Sequence, residues 1–548
     1  MCNVGWGEGG DVKVVKARSL AALFRPRPVG LGGRIPAELG NIAIVNNGKL
    51  SSPHDNFRAV VEVLVEGAAA AGMQISLVEH DLLNGRGDVV EAATEKVCAA
   101  GADAAVIGLL DQGVAQPSAM LGLALMERGI PTVLIGQGSG CRFSFEFSRR
   151  FAPCMGVVCL GVERDASYDE IGEATRAVRE EVLQLLRHLK PVEGAHGADV
   201  RRDEYVELRS ADRSGEYTAL MAELGVGDGL PLVAPTEPRV REMLRAESVD
   251  GSEPLWAGLE PVSRGVTISD AATLAVAAGC APRVCGVVVA ALRAMIQPEF
   301  RLLQSAITTH PGGTFVYISG PAAGQLGFAS GAGCLGPGWS TNATVGRAVA
   351  LSYSVFLGSC AGGLDLSVQG SPAEFTYCCA ENIAESPWPA LGQEWFGAGV
   401  TCVAVGKCEG PHAVIDDLSS TPEGLLSTVA GCVSSLGSNN AYRPRAQVVV
   451  VLNPWHARLL AKNGWTKNDV SRYLFEAGRI DRSLLVDRGG HPNRPIWFGG
   501  LERVPVVERA EEFIVVVSGE KGPHSAVVRP WSLSRMVGIC LETGEVRV

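Results

Sequence analysis

Between Asn41 and Leu189 short apolar runs alternate with amphipathic stretches, and this rhythm constrains the fold more than any other feature of the chain. The runs "NIAIVNN", "MQISLVEHDL", "ADAAVIGLL", "PTVLIG" and "MGVVCLG" are largely apolar on consecutive residues, the pattern of strands buried on both faces. Helical periodicity covers Pro53–Ala71, Val89–Ala100, Ser118–Arg128 and Tyr168–Leu189. Strand and helix alternating at this spacing predict a parallel sheet with helices on both faces, a Rossmann- or flavodoxin-like domain over 41–190. Ligands of such sheets gather beyond the carboxyl ends of the strands. Here those ends carry Asn46-Asn47-Gly48-Lys49, Asp111-Gln112-Gly113 and Gly136-Gln137-Gly138-Ser139-Gly140-Cys141. The loop Asp111–Gln116 holds no nucleophile and no basic residue.

A chain of 548 residues is too long for one ordinary core. Residues 1–40 read as an irregular segment, and 191–203 as a linker of Pro, Gly and charge. Residues 204–548 read as a larger mixed α/β or α+β domain. Its helical pieces are Glu204–Leu224, Pro238–Ala246, Asp270–Ala278 and Thr344–Leu357, and its strands "GTFVYISG", "GVTCVAVG", "AQVVVVLN" and "EEFIVVVSG". A net charge of −11 without a basic stripe argues against nucleic acid as the main partner. The best apolar run, Val284–Ile296, is short and contains Arg293, so no membrane span is expected. No basic-then-apolar leader opens the chain, and the expected compartment is the cytoplasm. Fifteen cysteines include no Cys-x-x-Cys pair, so they are expected to be mostly buried thiols without structural disulfides or metal fingers.

"GQGSGC" lacks the third glycine of a dinucleotide turn, and "AGVTCVAVGKC" lacks the first glycine and the hydroxyl of a phosphate loop. With neither a nucleotide nor a metal signature, no cofactor and no metal is assigned. Three constellations remain. In Gly331–Tyr353, Gly336 and Gly338 allow close backbone approach, Thr341 or Asn342 can cap the following helix, and Arg347 offers a donor fork to an anionic group. The plainer alternative is a capped helix after a glycine loop. In Phe375–Pro389, Cys378 is the candidate nucleophile with Cys379 packing behind it, Glu381 and Glu385 stand one helical turn apart, and Trp388 is taken as a substrate contact. The alternative is a buried thiol beside a solvated acidic face. His310, His456 and His524 lie at strand–loop junctions. His310 or His524 is the candidate base, with Glu381 orienting it.

Several of these segments resemble the bacterial UGSC family, named for a Sec/Cys-Gly-Ser-Cys motif. The match lies in "IVNNGK" (Ile44–Lys49) and Glu127-Arg128-Gly129-Ile130-Pro131-Thr132. It extends to "GDGLPLVAPTEPRV", "TTHPGGTFVYISGP", "GPGWSTNATVGRA", "YCCAENIAESPW" and "SGEKGPHSA", which resemble the larger region found with some members. The resemblance implies a thiol loop after a strand of the first domain. This chain departs from it, carrying Gln112-Gly113-Val114-Ala115 there. The expectation therefore moves the chemistry to 204–548. It is an enzyme acting on a small polar or anionic metabolite, in secondary or sulfur-related metabolism, by cysteine-assisted transfer, condensation or lyase chemistry. Cys378, His310, Glu381 and His524 would be catalytic, and Gly336, Gly338, Asn342, Arg347 and Trp388 would bind substrate. The alternatives are a thiol-based reductase of a carbon–heteroatom bond and a non-catalytic scaffold subunit. Assembly is expected as a homo-oligomer or with a homologous subunit.

Overall fold

The computed structural model describes residues 14–24, 31–32, 39–46, 56–80, 82, 89–110, 114–163, 166–189, 204–210, 212–247, 250–256, 265–442, 446–486, 500–531 and 533–548. The linker read at 191–203 and the loop residues Asp111–Gly113 lie outside them. The chain is mixed α/β. Strands Asn41–Asn46, Gln74–Glu79, Ala104–Leu110, Thr132–Gly136 and Gly156–Cys159 form one parallel sheet. Its spatial order is 74–79, 41–46, 104–110, 132–136, 156–159. Ile42, Ile44, Val106 and Val133 pack with helices Asn56–Ala70 and Tyr168–His188. Ala43, Val45, Ala105, Ile107 and Leu134 pack in the core on the other side, with Val89–Ala99, Ala115–Glu127 and Ser139–Phe151. Burial on both faces is why strands Asn41–Asn46 and Thr132–Gly136 show no polar alternation, whereas the edge strand Gln74–Glu79 is largely exposed.

Helix Ser139–Phe151 was not among the expected elements. Its signal is Phe143, Phe147 and Phe151, four residues apart on one buried face. A second correction concerns sulfur: Cys141 and Cys159 form a disulfide, with Cα atoms 5.6 Å apart. The two cysteines are far apart in sequence, and only the adjacency of the strands ending at Gly136 and Cys159 brings them together.

The remainder is built on two sheets. One holds Cys378–Ala380, Gly313–Ser319, Cys402–Cys408, Val537–Cys540 and Val546–Arg547 in that spatial order. The other holds His412–Ile415, His524–Val528, Val448–Leu452 and Phe513–Val517. Residue parity sorts them into layers. Phe315, Tyr317, Cys379, Cys402, Ala404 and Cys408 meet Val449, Val451, Ile514 and Val516 between the sheets. Val316, Ile318, Val403 and Val405 turn the other way, toward helices Ile268–Ala278, Cys285–Met295 and Ser340–Leu357. Val448, Val450, Val515 and Val517 face helices Pro422–Val433, Pro454–Lys462 and Lys467–Ala477. The result is four layers: helices, sheet, sheet, helices.

The single helix expected over Glu204–Leu224 is instead a strand, Tyr205–Leu208, and a helix, Arg213–Glu223, started by Asp212, whose side chain accepts from the Gly215 amide. The strand pairs with Val15–Arg18, so the first 40 residues are not wholly irregular. The parallel-sheet unit and the four-layer unit share one continuous apolar core. Among the described residues no helix is long and apolar enough to cross a membrane.

Arg18 fastens the N-terminal strand to helix Ile268–Ala278. Its buried guanidinium reaches Asp270 at 3.2 Å, Thr273 Oγ1 at 2.8 Å and Ser269 Oγ at 2.8 Å. Removing one member of a buried pair leaves an uncompensated charge. We expect Arg18→Ala to cost about 3 kcal/mol in chemical denaturation, against less than about 1 kcal/mol for the exposed Arg209→Ala.

Candidate functional site

The helix-facing parity of strand Cys402–Cys408 runs Val403, Val405, Lys407. Across the ladder Val403 stands opposite Ile318, Val405 opposite Val316 and Lys407 opposite Thr314. The sheet face is thus sealed by aliphatic side chains at one end and turns polar at the other. There it walls a cavity of about 650 Å³. Ala350, Tyr353 and Ser354 of helix Ser340–Leu357 form a second wall, and Gly225, Gly227 and Asp228 a third. The turn Ser371–Glu374 closes a fourth, where a Cβ on Gly313 would collide with the Ala373 carbonyl, so the turn lies directly on the strand.

Lys407 is the unusual group in this cavity. It is 6% exposed, and its Nζ has no hydrogen bond or ion pair among the described residues. Its ammonium faces the Tyr353 ring, 5.0 Å from the centroid, while the Tyr353 hydroxyl is tied to Thr314 Oγ1 at 2.8 Å. Burial pushes the Lys407 amine below its ordinary value; the charges of Glu374 and then Asp365 pull it partly back. Burial pushes the Glu374 carboxyl up, against the pull of Lys407. Both carboxylates are held by their own turns. Glu374 accepts from Ser371 N at 3.1 Å and Ser367 Oγ at 3.2 Å, and Asp365 accepts from Ser367 N at 2.9 Å. An amine lowered and a carboxyl raised by burial thus line the same cavity.

The residues singled out from sequence do not converge on this cavity. Cys378 faces the helix layer, and burial pushes its thiol up, with the neighbouring Cys280 acting in the same direction. Glu381 turns to the other face of its strand, accepting from Ser319 Oγ and from the Leu391 amide at 2.8 Å, with Lys467 3.8 Å away. It braces the 389–392 turn and cannot orient a base for Cys378. His310 precedes strand Gly313–Ser319 and Glu381 lies beyond its far end, a separation of roughly 20 Å for a strand of this length. His310 Nε2 stands 3.5 Å from Glu409, at the Lys407 end of the sheet but outside the cavity lining. His524 is exposed at the start of a strand in the other sheet. The Cys378–His310–Glu381–His524 constellation is therefore not assembled. Its parts fall on different faces and ends because parity separates Cys378 from Glu381, strand length separates His310 from Glu381, and His524 belongs to the other sheet.

The substrate-binding set is likewise dispersed into scaffolding. Arg347 is occupied by Asp228, at 2.7 and 2.9 Å, and by the carbonyls of Pro231 and Leu230. It acts indirectly, holding the loop whose Gly225, Gly227 and Asp228 line the cavity. Asn342 ties down its preceding loop through Ala329 N and O and Cys334 O. Gly336 closes a turn onto Gly333 O at 2.7 Å, and Gly338 takes φ +103°, a conformation suited to glycine. Trp388 donates to Trp465 O at 3.0 Å and packs on the outer helix layer. His456 is a satisfied buried histidine, bonded to Ser525 Oγ and Asp416 O at 2.7 Å each.

Three of the quoted segments do meet, at the far end of the sandwich from Lys407. Ser518 Oγ donates to Ala380 O at 2.8 Å and lies 2.9 Å from the Tyr317 hydroxyl, while Gly519 N donates to Ser330 O at 2.8 Å and Asn382 N to Val517 O at 2.7 Å. In this knot Cys334 is the thiol held below its ordinary value. The Cys379 thiol donates to it, burial opposes, and the amides of Gly519 and Leu335 add to the effect. Cys379 itself is pushed well up by burial.

No family model, no curated protein and no solved structure matches the chain. The site is accordingly read from its own residues.

Two outcomes follow. Between its depressed folded value and the ordinary 10.5, the unfolded chain binds the Lys407 proton and the folded chain does not, so wild-type stability gains with pH across that window. We expect Lys407→Met to raise the melting temperature by several degrees at neutral pH, with the gain vanishing as pH approaches 10.5. A pH series of thermal melts of the two proteins measures this. Among the buried thiols, Cys334 is expected to react with iodoacetamide at least tenfold faster than Cys378 or Cys379, read by peptide mass spectrometry of the native protein.

Proposed function

We propose that the chain is an enzyme acting on a small polar carbonyl compound in the cavity around Lys407, by imine-based condensation or lyase chemistry. One observation carries the reading: a buried amine without an ion-pair partner among the described residues lines the wall of a cavity large enough for a metabolite. The neutral Nζ attacks the carbonyl carbon and gives a carbinolamine. The carbonyl oxygen takes the proton that Glu374 holds as the carboxylic acid and becomes the hydroxyl; the Glu374 carboxylate then takes the proton released by the amine nitrogen and returns it to that hydroxyl, which leaves as water, so that the iminium cation and the Glu374 carboxylate remain. The resulting iminium draws electrons from an adjacent carbon–carbon or carbon–hydrogen bond, as both reaction classes require. Asp365 keeps a counter-charge near the cation, and Tyr353 covers one side of Lys407.

This keeps the reaction class expected from sequence and exchanges its nucleophile, a thiol, for an amine. A non-catalytic scaffold has no use for a lysine whose burial weakens the fold, which favours the enzyme over that alternative. The resemblance to the UGSC family stands beside this reading as a proposal, supported by the parallel sheet and by the meeting of three quoted segments in one knot. A sulfur-based second reading rests on Cys334, the thiol that neighbouring donors favour as thiolate.

Trapping tests the amine. Incubation with glyceraldehyde and cyanoborohydride is expected to modify Lys407 at least tenfold faster than exposed lysines such as Lys462, with Glu374→Gln slowing it about tenfold. An unmodified Lys407 beside reacted exposed lysines would overturn the proposal.

A further inference from the structure

The Lys407 cavity does not end at the four-layer unit. It shares Gly225, Ser354, Cys360 and Ala361 with an adjoining space of about 490 Å³. That space is lined by Phe24 and by Glu146, Arg149 and Arg150 of helix Ser139–Phe151, facing the glycine turn Gly358–Gly363. The two spaces differ in charge. The inner one carries Asp365 and Glu374 against Lys407, with Asp228 already neutralised by Arg347. The outer one carries two guanidinium groups against one carboxylate: Arg149 stands 2.8 Å and Arg150 3.4 Å from Glu146. Arg150 Nη1 donates to Gly358 O at 2.8 Å, which fixes the side chain in place. Its Nη2 is directed at the turn where a Cβ on Gly363 would lie 3.6 Å away, so the absence of a side chain there leaves the guanidinium edge open.

Resting on the imine reading, we infer that the substrate is a carbonyl compound bearing a terminal oxyanion, phosphate or carboxylate. Its carbonyl would enter at Lys407 and its anionic end would rest on Arg150 and Arg149. A guanidinium presents paired donors to either oxyanion. The inner cavity alone would disfavour an anion, because two carboxyl groups, Asp365 and Glu374, stand there against a single amine. This gives the parallel-sheet unit a part in the site: it supplies the cationic wall from a helix.

The test compares cyanoborohydride trapping at Lys407 with three aldehydes: neutral glyceraldehyde, glyceraldehyde 3-phosphate and succinic semialdehyde. At equal concentration at least one anionic aldehyde is expected to label Lys407 at least tenfold faster than glyceraldehyde, and which one does so distinguishes phosphate from carboxylate. Arg150→Gln is expected to bring that ratio close to one. Because Arg150 also braces Gly358, a measurement on unaltered protein stands beside it: titration calorimetry with inorganic phosphate and with succinate, one of which should bind at one equivalent and erase the ratio when present in excess. Equal labelling by all three aldehydes, with neither anion binding, would overturn the inference and leave the imine reading intact. Failure of every aldehyde to label Lys407 would remove both, even where an anion binds.

Discussion

Strict two-residue parity in strand Cys402–Cys408 is the constraint from which the rest of the four-layer unit follows. Even-numbered positions meet the second sheet and odd-numbered positions meet the helices. A shift by one residue would drive Lys407 into the dry layer between sheets and expose Cys402, Ala404 and Cys408 to the helix side. The register with Gly313–Ser319 then decides what faces what: three cross-strand pairs, two aliphatic and one of Thr314 with Lys407. A sealed core and a polar cavity thus occupy the same sheet face, divided only by position along the strand.

Around that cavity the fold uses polar groups mainly to hold backbone. Arg347 with Asp228 fixes the glycine loop of one wall, and Ser371 with Glu374 fixes the turn of another. The amine is different. It draws no hydrogen bond from its described surroundings, and its burial works against folding. A group buried at a cost to stability, in a cavity also lined by two carboxyl groups, is the observation on which the proposed reacting centre rests. The parallel-sheet unit completes the enclosure through its third and fourth helices, whose Met120, Phe147 and Phe151 line a narrow crevice with Leu303, Ile307 and Leu357 of the other unit.

Much of the architecture was legible in the residues, because uninterrupted apolar runs and amphipathic stretches report burial directly. All five strands of the parallel sheet fall on the runs that announced them. Helix Ser139–Phe151 was hidden by its polar residues, and the Cys141–Cys159 bond by its dependence on strand adjacency. The site was harder. Lys407 lies within "AGVTCVAVGKC", which reads as a failed phosphate loop when matched to a motif. The better signal was a lysine continuing the Val403, Val405 parity inside a strand buried on both faces. Cys378, Glu381 and His310 were grouped by chemical type and nearness in sequence, and neither carries the face or the end of the strand on which a side chain emerges. Arg347 was legible as a donor fork, but its partner, Asp228, lies more than a hundred residues away.

The central claim is that burial holds the Lys407 amine below its ordinary value, and its titration addresses that claim most directly. Trace acetylation with isotopic acetic anhydride, followed at the Lys407 peptide across the alkaline range and compared with Lys462, gives the amine's own pKa. The account predicts a Lys407 midpoint below the ordinary 10.5 of a lysine amine. A Lys407 midpoint at or above 10.5 would contradict it.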